Sequence, residues 1–140
     1  MITGIGIDVV HAHRMERWKK IPGLLERYFH HEELSSALAK GTGADLSLAA
    51  RFAAKEAFGK ALGTGLAGIV LKDIMVKNRH NGQPEIVVFN TALAALKHSG
   101  ADYIHVSLTH ERDNAVAMVV LESDRRSENP GGSVRPGGSV

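Results

Sequence analysis

Three charged side chains in this sequence are of the types that could bind a divalent metal ion and a phosphate group. Asp8 follows two glycines in "GIGIDVV", a run that predicts a strand, and a carboxylate at a strand end suits a hard cation such as Mg²⁺. Glu56 and Lys60 lie one turn apart in the predicted helix of "RFAAKEAFGKALGTG". Two carboxylates would bind the metal, and a lysine beside them would face a phosphate.

Each of these residues also has an ordinary structural interpretation. Asp8 could end the strand and cap the helix that follows. Glu56 and Lys60 could form an exposed ion pair worth about 0.3–0.5 kcal/mol. Ala53 and Gly59 share their helix face, and such small residues would let a ligand or a strand approach the acid. Spacing alone leaves these interpretations open.

The composition is that of one globular domain. The chain has 140 residues, of which 44% are hydrophobic and 23% charged, and its net charge is +2. This charge is too small to indicate nucleic acid binding. No apolar run approaches the roughly 20 residues that cross a membrane, and the N-terminus lacks the features of a signal peptide. The chain has no cysteine for disulfides or thiolate metal sites, and these features together predict a cytoplasmic protein.

The hydrophobic pattern predicts an α+β fold, with a mostly antiparallel sheet and a long helix packed on it. The predicted strands are 3–10, a hairpin of 69–78 and 85–89 around Asn81-Gly82, and a hairpin of 102–110 and 114–123. The predicted helices are 11–20, one or two within 24–40, a long helix capped by Asp45 or Ser47 and ended by Gly63 and Gly65, and 91–100. Residues 1–122 form the predicted domain, and residues 123–140, where "PGGSV" occurs twice, a predicted flexible tail.

Two further segments carry polar side chains in informative patterns. In "YIHVSLTH" one strand face is apolar, and the other, with His105, Ser107 and Thr109, would meet solvent or line a polar site. In the predicted helix 11–20, a basic cluster could attract an acidic partner or could simply be solvated; its members are Arg14, Arg17, Lys19 and Lys20. His11 and His13 do not share a helix face, which disfavours a zinc site there.

The motifs "GIGIDVV", "RFAAKEAFGKALGTG" and "HVSLTH", spread over residues 1–122, strongly resemble those of the holo-acyl-carrier-protein synthases, the short bacterial 4′-phosphopantetheinyl transferases. The hallmarks of that family are a Gly-x-Asp, here Gly6-Ile7-Asp8, and a Lys-Glu-Ala-x-x-Lys-Ala-x-Gly-Thr-Gly segment, which Lys55 through Gly65 match at every fixed position. One departure is Gly82-Gln83-Pro84, where many relatives have Gly-Lys-Pro. Any ligand contact by that lysine is lost or replaced here.

The resemblance implies transfer of 4′-phosphopantetheine from coenzyme A to a serine of apo-acyl carrier protein, with release of adenosine 3′,5′-bisphosphate, in fatty acid biosynthesis. It implies that Asp8 and Glu56 bind Mg²⁺ and that Asp8, Glu56 and Lys60 form the catalytic centre. The base that accepts the serine proton is left open between Glu56 and a metal-activated water. The family commonly forms homotrimers with active sites between subunits.

The resemblance also implies residues for both substrates. Those for coenzyme A are Arg51, Lys55, Lys60, Gly63, Gly65, Pro84, His105 and Thr109. Those for the acyl carrier protein are Arg14, Arg17 and Trp18. Of Arg51 and Lys55, at most one is expected at the 3′-phosphate of coenzyme A.

Two other functions would use the same residues. A metal-dependent phosphodiesterase acting on nucleotides would also need Asp8, Glu56 and Lys60. A non-catalytic module would bind a carrier protein through the basic helix and leave its mass unchanged. No partner among nucleic acids or membranes is expected.

Overall fold

The computed structural model describes residues 1–124, which form five strands and five α-helices. In chain order these are β1 (Ile2–His11), α1 (Ala12–Lys19), α2 (Leu24–Tyr28), α3 (His31–Leu38), α4 (Ala44–Leu62), β2 (Ile74–Asn78), β3 (Pro84–Val88), α5 (Asn90–Ser99), β4 (Tyr103–Glu111) and β5 (Asn114–Glu122). The predicted α+β class, with antiparallel strands and one long helix, is confirmed. Within residues 1–124, no helix is both long and apolar enough to span a membrane.

The strands form two antiparallel sheets, a main sheet in the order β1-β5-β4 and a separate β2-β3 hairpin. In the main sheet Asp8 is opposite Ala117, which is opposite Leu108. One face, with Val10, Ala117 and Val119, is buried in the core beneath α4. The apolar face predicted for β4 packs against the same core. The sheet therefore supports α4 along much of the helix.

Two glycines of β1 allow α4 to lie directly on the strand backbone. A Cβ atom added at Gly4 would lie 1.9 Å from the Ala61 carbonyl oxygen, and one added at Gly6 would lie 1.9 Å from the Ala57 carbonyl oxygen. No side chain fits in these gaps, because both neighbours are backbone atoms. The next residue of β1 on this face is Asp8, which is thereby brought beside α4.

Two elements begin at residues other than the predicted ones. The N-cap of α4 is Gly43, which makes no side-chain cap, so the prediction of Asp45 or Ser47 is wrong. Asp45 instead pairs with Lys19 at 2.6 Å. Strand β2 begins at Ile74 rather than residue 69, because Leu71–Asp73 forms a 3₁₀ turn. Gly63, at a φ of 81°, ends α4 as predicted.

The domain extends slightly past its predicted boundary at residue 122. The amino group of Met1 donates to the Ser123 carbonyl at 2.6 Å, and the Ser123 N–H donates to the Met1 carbonyl at 2.7 Å. The Tyr103 hydroxyl donates to Asp124 at 2.8 Å. Ser123 and Asp124 are therefore hydrogen-bonded to the rest of the domain. The predicted flexible tail, apart from these two residues, lies outside the described residues.

Candidate active site

Strand β1 and helix α4 bring two of the predicted catalytic residues into contact. The Lys60 ammonium donates to Asp8 Oδ1 at 3.1 Å and to the Ile7 carbonyl at 3.0 Å. Asp8 does not cap α1, because the N-cap is His11, whose ring accepts the His13 N–H. The capping alternative for Asp8 is therefore wrong, and its carboxylate faces α4.

Glu56 lies beside this pair on the same side of α4. Burial raises the pKa of the half-buried Glu56 carboxyl above its ordinary value of 4.5, and the negative charge of Asp8 raises it further. The positive charges of Arg14 and Lys60 oppose this increase. Lys60 forms its ion pair with Asp8 and not with Glu56. The alternative of an exposed Glu56–Lys60 ion pair is therefore not supported.

The two carboxylates suit a hard divalent cation. Asp8 and Glu56 come from different elements and are partly buried, and burial together with the negative charge of Asp8 raises the pKa of Glu56. Mg²⁺ prefers oxygen ligands and is commonly held by one or two carboxylates. A cation between these groups would relieve their repulsion, so Asp8 and Glu56 are the residues that would hold it.

Helix α1 adds a basic border to this group of charges. The Arg14 guanidinium carbon lies 4.8 Å from the centroid of Trp18 and 4.9 Å from that of Phe52, which is cation–π geometry. Arg14 and Arg17 are exposed, whereas Trp18 is half-buried against Phe52 and Tyr28. Part of the Trp18 ring therefore packs inside the domain, and only the remaining part is accessible to a partner.

A second group of predicted residues lies at a cleft of about 270 Å³. Its polar lining includes Lys40, Ser47, Arg51, Asn78, Thr109 and His110. Arg51 is almost fully buried, and its guanidinium donates to the Val76 carbonyl and, at 3.4 Å, to Ser47 Oγ. Burial lowers the pKa of Arg51, against the opposing charge of Glu33. Pro84 is opposite Asn78 in the β2-β3 register, next to this cleft.

Within one chain, the cleft and the carboxylates lie on different sides of α4. Arg51 and Lys60 are nine positions apart, which is about 180° around a helix and about 14 Å along it. Asp8 is on β1 and Thr109 on β4, and these strands are the two edges of the main sheet. The two groups therefore do not form a single pocket within this chain.

The structure does not support the prediction that Lys55 binds coenzyme A. Its side chain is fully buried, and its ammonium donates to Glu33 Oε1 at 2.6 Å and to the carbonyls of Leu71 and Ile74 at 2.9 and 2.5 Å. All three donors of a lysine are thus used inside the domain. The expectation that at most one of Arg51 and Lys55 contacts the 3′-phosphate stays a prediction, and Arg51 is the one of the two that lines the cleft.

His105 is also outside both groups. It is exposed on β4, with Nε2 3.0 Å from Glu122 Oε1, and it lies five residues, about 17 Å of strand, from His110. The histidine that lines the cleft is His110, which sequence reasoning missed although it ends the same "HVSLTH" motif. Lys40 and Asn78 were missed as well, and their segments carried no motif.

The two loop glycines after α4 have a clear backbone role. The Gly63 N–H donates to the Lys60 carbonyl, and the Gly65 N–H donates to the Gly59 carbonyl, both at 3.0 Å. Their φ angles are 81° and 66°, which favour glycine. With both N–H groups bonded, a contact of Gly63 or Gly65 with coenzyme A stays a prediction.

Comparison with known proteins agrees with the resemblance. The sequence profile described as the 4′-phosphopantetheinyl transferase superfamily matches residues 4–119. The holo-[acyl-carrier-protein] synthase of Treponema denticola is 58% identical over 122 residues, covering 87% of this chain and 99% of the relative. That of Treponema pallidum is 46% identical over 124 residues, covering 89% and 98%.

Solved structures give the same result. The holo-[acyl-carrier-protein] synthase of Neisseria meningitidis superposes with a TM-score of 0.79 at 34% identity, covering 88% of this chain and 100% of that chain. The enzyme of Bacillus anthracis, solved in complex with CoA (3′,5′-ADP), superposes with a TM-score of 0.74 at 36% identity, covering 89% and 99%. This chain therefore belongs to the 4′-phosphopantetheinyl transferase superfamily.

Proposed function

We propose that this protein is a holo-[acyl-carrier-protein] synthase, which transfers 4′-phosphopantetheine from coenzyme A to a serine of apo-acyl carrier protein in a Mg²⁺-dependent reaction. The observation that carries the proposal is the contact of Lys60 with Asp8 beside the Glu56 carboxyl, in a chain 58% identical to a relative of that name. Asp8, Glu56 and Lys60 also lie in the family motifs, and the family profile matches residues 4–119.

The proposed reaction exchanges one phosphorus–oxygen bond for another. The serine oxygen bonds to the β-phosphorus of coenzyme A, the bond from that phosphorus to the bridging oxygen breaks, and adenosine 3′,5′-bisphosphate leaves with the bridging oxygen. The serine proton is released, and its acceptor is open between Glu56 and a water molecule. Negative charge grows on the bridging and non-bridging oxygens as the old bond breaks.

Lys60 is the residue that stabilises this charge. Its ammonium is held by the Ile7 carbonyl and the Asp8 carboxylate, so it is oriented before the substrate arrives. Asp8 and Glu56 would hold Mg²⁺, which when bound supplies Lewis-acid stabilisation of the phosphate oxygens. Asp8 thus has two tasks in the proposal, one toward the metal and one toward Lys60.

The nucleotide end of coenzyme A is assigned to the cleft of Arg51, Thr109 and His110. A buried guanidinium beside hydroxyl and imidazole groups suits a phosphate and a nucleoside. Because this cleft lies across α4 from Asp8, the complete site is proposed to combine the cleft of one subunit with the carboxylates of another. The relative from Bacillus anthracis, solved with CoA (3′,5′-ADP), supports coenzyme A as the ligand.

A homotrimer is the proposed assembly, and the outer face of the main sheet is its proposed interface. On the face away from α4, the side chains of Ile5, Ile7, Val9 and Met118 are 60%, 56%, 57% and 44% exposed. Ile7 is opposite Met118, so these residues form one continuous apolar surface. Sedimentation equilibrium tests the trimer, and an Ile7→Lys variant is expected to be smaller and less active.

The acidic acyl carrier protein is proposed to bind at α1. Arg14 and Arg17 are exposed there, and Arg14 also borders the carboxylates. A role in fatty acid biosynthesis and a cytoplasmic location are also proposed. Cell fractionation tests the location, and growth of a depleted strain supplied with fatty acids tests the biosynthetic role.

Coenzyme A consumption separates this proposal from its rivals. With Mg²⁺ and apo-carrier protein, chromatography should detect adenosine 3′,5′-bisphosphate, and without a carrier coenzyme A should stay intact. Cleavage without a carrier would instead indicate a phosphodiesterase. Tight carrier binding without bisphosphate release would indicate a binding module.

A further inference from the structure

Lys55, the residue before Glu56 on α4, forms a buried ion pair with Glu33. Lys55 is fully buried and Glu33 of α3 is 1% exposed, and the ammonium lies 2.6 Å from Glu33 Oε1. The same carboxylate accepts the His30 N–H at 3.0 Å through Oε1 and the Val76 N–H at 2.9 Å through Oε2. With the Lys55 bonds to the Leu71 and Ile74 carbonyls, the pair joins α4 to α3, to the 3₁₀ turn and to β2.

The cost of burying such a pair indicates that it specifies a geometry. Two buried charges of this kind are often no more stabilising than an apolar pair of the same shape. The pair specifies the relative orientation of α3, α4 and β2. Its five hydrogen bonds, at 2.5–3.0 Å, can all form in only one arrangement of these elements.

The position of the pair matters because α4 is held from two sides. Toward β1, the helix lies on the backbone of Gly4 and Gly6. Toward α3 and β2, it is held by the Lys55 ammonium, one residue before Glu56. A rotation of α4 by 20° would move a group at a radius of about 6 Å by about 2 Å. A misplacement of 1 Å in an active site can cost about 100-fold in rate.

We infer that Lys55 and Glu33 are positioning residues that fix the rotation of α4, and so aim Glu56 and Lys60 at Asp8. This inference rests on the proposed function and assigns Lys55 a role different from coenzyme A binding. The pair touches neither substrate. It acts through the helix that carries two of the three catalytic groups.

The test compares Lys55→Met, Glu33→Gln and the double variant with wild type, at a temperature where each is at least 95% folded. Lys55→Met leaves an unpaired buried carboxylate and should be the least stable, and adding Glu33→Gln should recover part of that loss. In the double variant kcat should fall about 10–100-fold while the KM for carrier protein stays within about twofold. Mg²⁺ binding, measured by calorimetry, should weaken in all three.

Ser99→Ala is the matched control for lost stability. The Ser99 hydroxyl donates to the Leu96 carbonyl at 2.6 Å and accepts the Ala101 N–H at 3.3 Å, and these contacts involve neither α4 nor the 3₁₀ turn. This variant should be destabilised with kcat and Mg²⁺ affinity unchanged. Wild-type kcat and Mg²⁺ affinity in the folded double variant would overturn the inference, because the pair would then serve stability alone.

A third measurement separates positioning from direct ligand contact. Adenosine 3′,5′-bisphosphate without metal should bind wild type, Lys55→Met and Glu33→Gln with similar affinity. Weaker binding by Lys55→Met alone would assign Lys55 to the nucleotide and overturn the inference. If wild type transfers no phosphopantetheine, the proposed function fails, whereas the Mg²⁺ arm still decides the positioning role.

Discussion

Lys60 Nζ lies 3.1 Å from Asp8 Oδ1 across the contact between α4 and β1, although 52 positions separate the two residues in the sequence. The contact exists because Gly4 and Gly6 allow the helix to rest on the strand backbone. It orients an ammonium group next to two carboxylates, in a setting where a metal and a phosphate can both be bound.

Removing either proposed metal ligand should abolish most activity while the fold survives. Asp8→Ala and Glu56→Gln should each lower kcat by at least about 100-fold, the scale of about 2.7–4 kcal/mol found for a lost oxyanion stabiliser. Glu16→Gln, at an exposed acid on α1, is the control and should retain activity. Steady-state kinetics measures the effect. A near-normal rate with normal Mg²⁺ dependence in Glu56→Gln would remove Glu56 from the metal site.

The contact between β1 and α4 should not tolerate a methyl group. Gly6→Ala places Cβ against the Ala57 carbonyl, so the helix must move away, at a cost of about 1–3 kcal/mol in the free energy of unfolding. The kcat of the folded variant should also fall, because moving the helix away separates Asp8 from Lys60. Urea denaturation and kinetics measure both, with exposed Thr3→Ala on the same strand as the control. Unchanged stability would contradict the close packing.

The raised pKa of Glu56 predicts a pH-dependent response to Mg²⁺. Without metal, the folded protein binds a proton more tightly than the unfolded chain, so its stability should fall as pH rises from 4.5 through the raised pKa. Mg²⁺ needs the ionised carboxylate, so the Mg²⁺-induced increase in Tm should grow over the same range. Thermal melts from about pH 5 to pH 8 measure it. An identical Mg²⁺ response in Glu56→Gln would contradict this account.

The basic helix should act on the carrier protein rather than on coenzyme A. Arg14→Glu should raise the KM for carrier far more than the KM for coenzyme A, because a basic rim steers an acidic partner. Added salt should raise the KM of wild type for carrier protein and reduce the difference in this KM between wild type and Arg14→Glu. The reason is that salt screens charges, and the Debye length is already about 8 Å at physiological ionic strength. Arg27→Glu on α2 makes the same change of charge outside α1 and is the control. Equal effects on both substrates would leave the docking surface unassigned.

A site shared between subunits predicts complementation of two inactive variants. Asp8→Ala damages the carboxylate group and His110→Ala the cleft, so mixed trimers contain some sites with both groups intact. Every mixed trimer has a single intact site, so about a third of the sites in the doubly purified protein should be active. Co-expression with two affinity tags and kinetics of the doubly purified protein measures the recovery. Asp8→Ala with Glu56→Gln affects one group and should recover nothing. Absence of recovery in the first pair would place the whole site within one chain.

The sequence predicted the parts of this site that depend on local pattern. Asp8, Glu56 and Lys60 lie in segments whose hydrophobic periodicity and glycines also indicate β1 and α4. The strand and the helix that carry these residues could therefore be predicted from the sequence. The role of Lys55 could not be predicted, because helical spacing gives angles between side chains but not which neighbour each one meets. The buried partner, Glu33, lies 22 residues earlier in another helix. For the same reason, the sequence could not show that His110, and not His105, lines the cleft.

The central claim is tested most directly by the intact mass of apo-acyl carrier protein after incubation with this protein, coenzyme A and Mg²⁺. The account predicts a gain of one phosphopantetheine, no gain in EDTA, and no gain on a carrier whose acceptor serine is replaced by alanine. An unchanged mass for several bacterial carriers, with a folded protein and Mg²⁺ present, would contradict it.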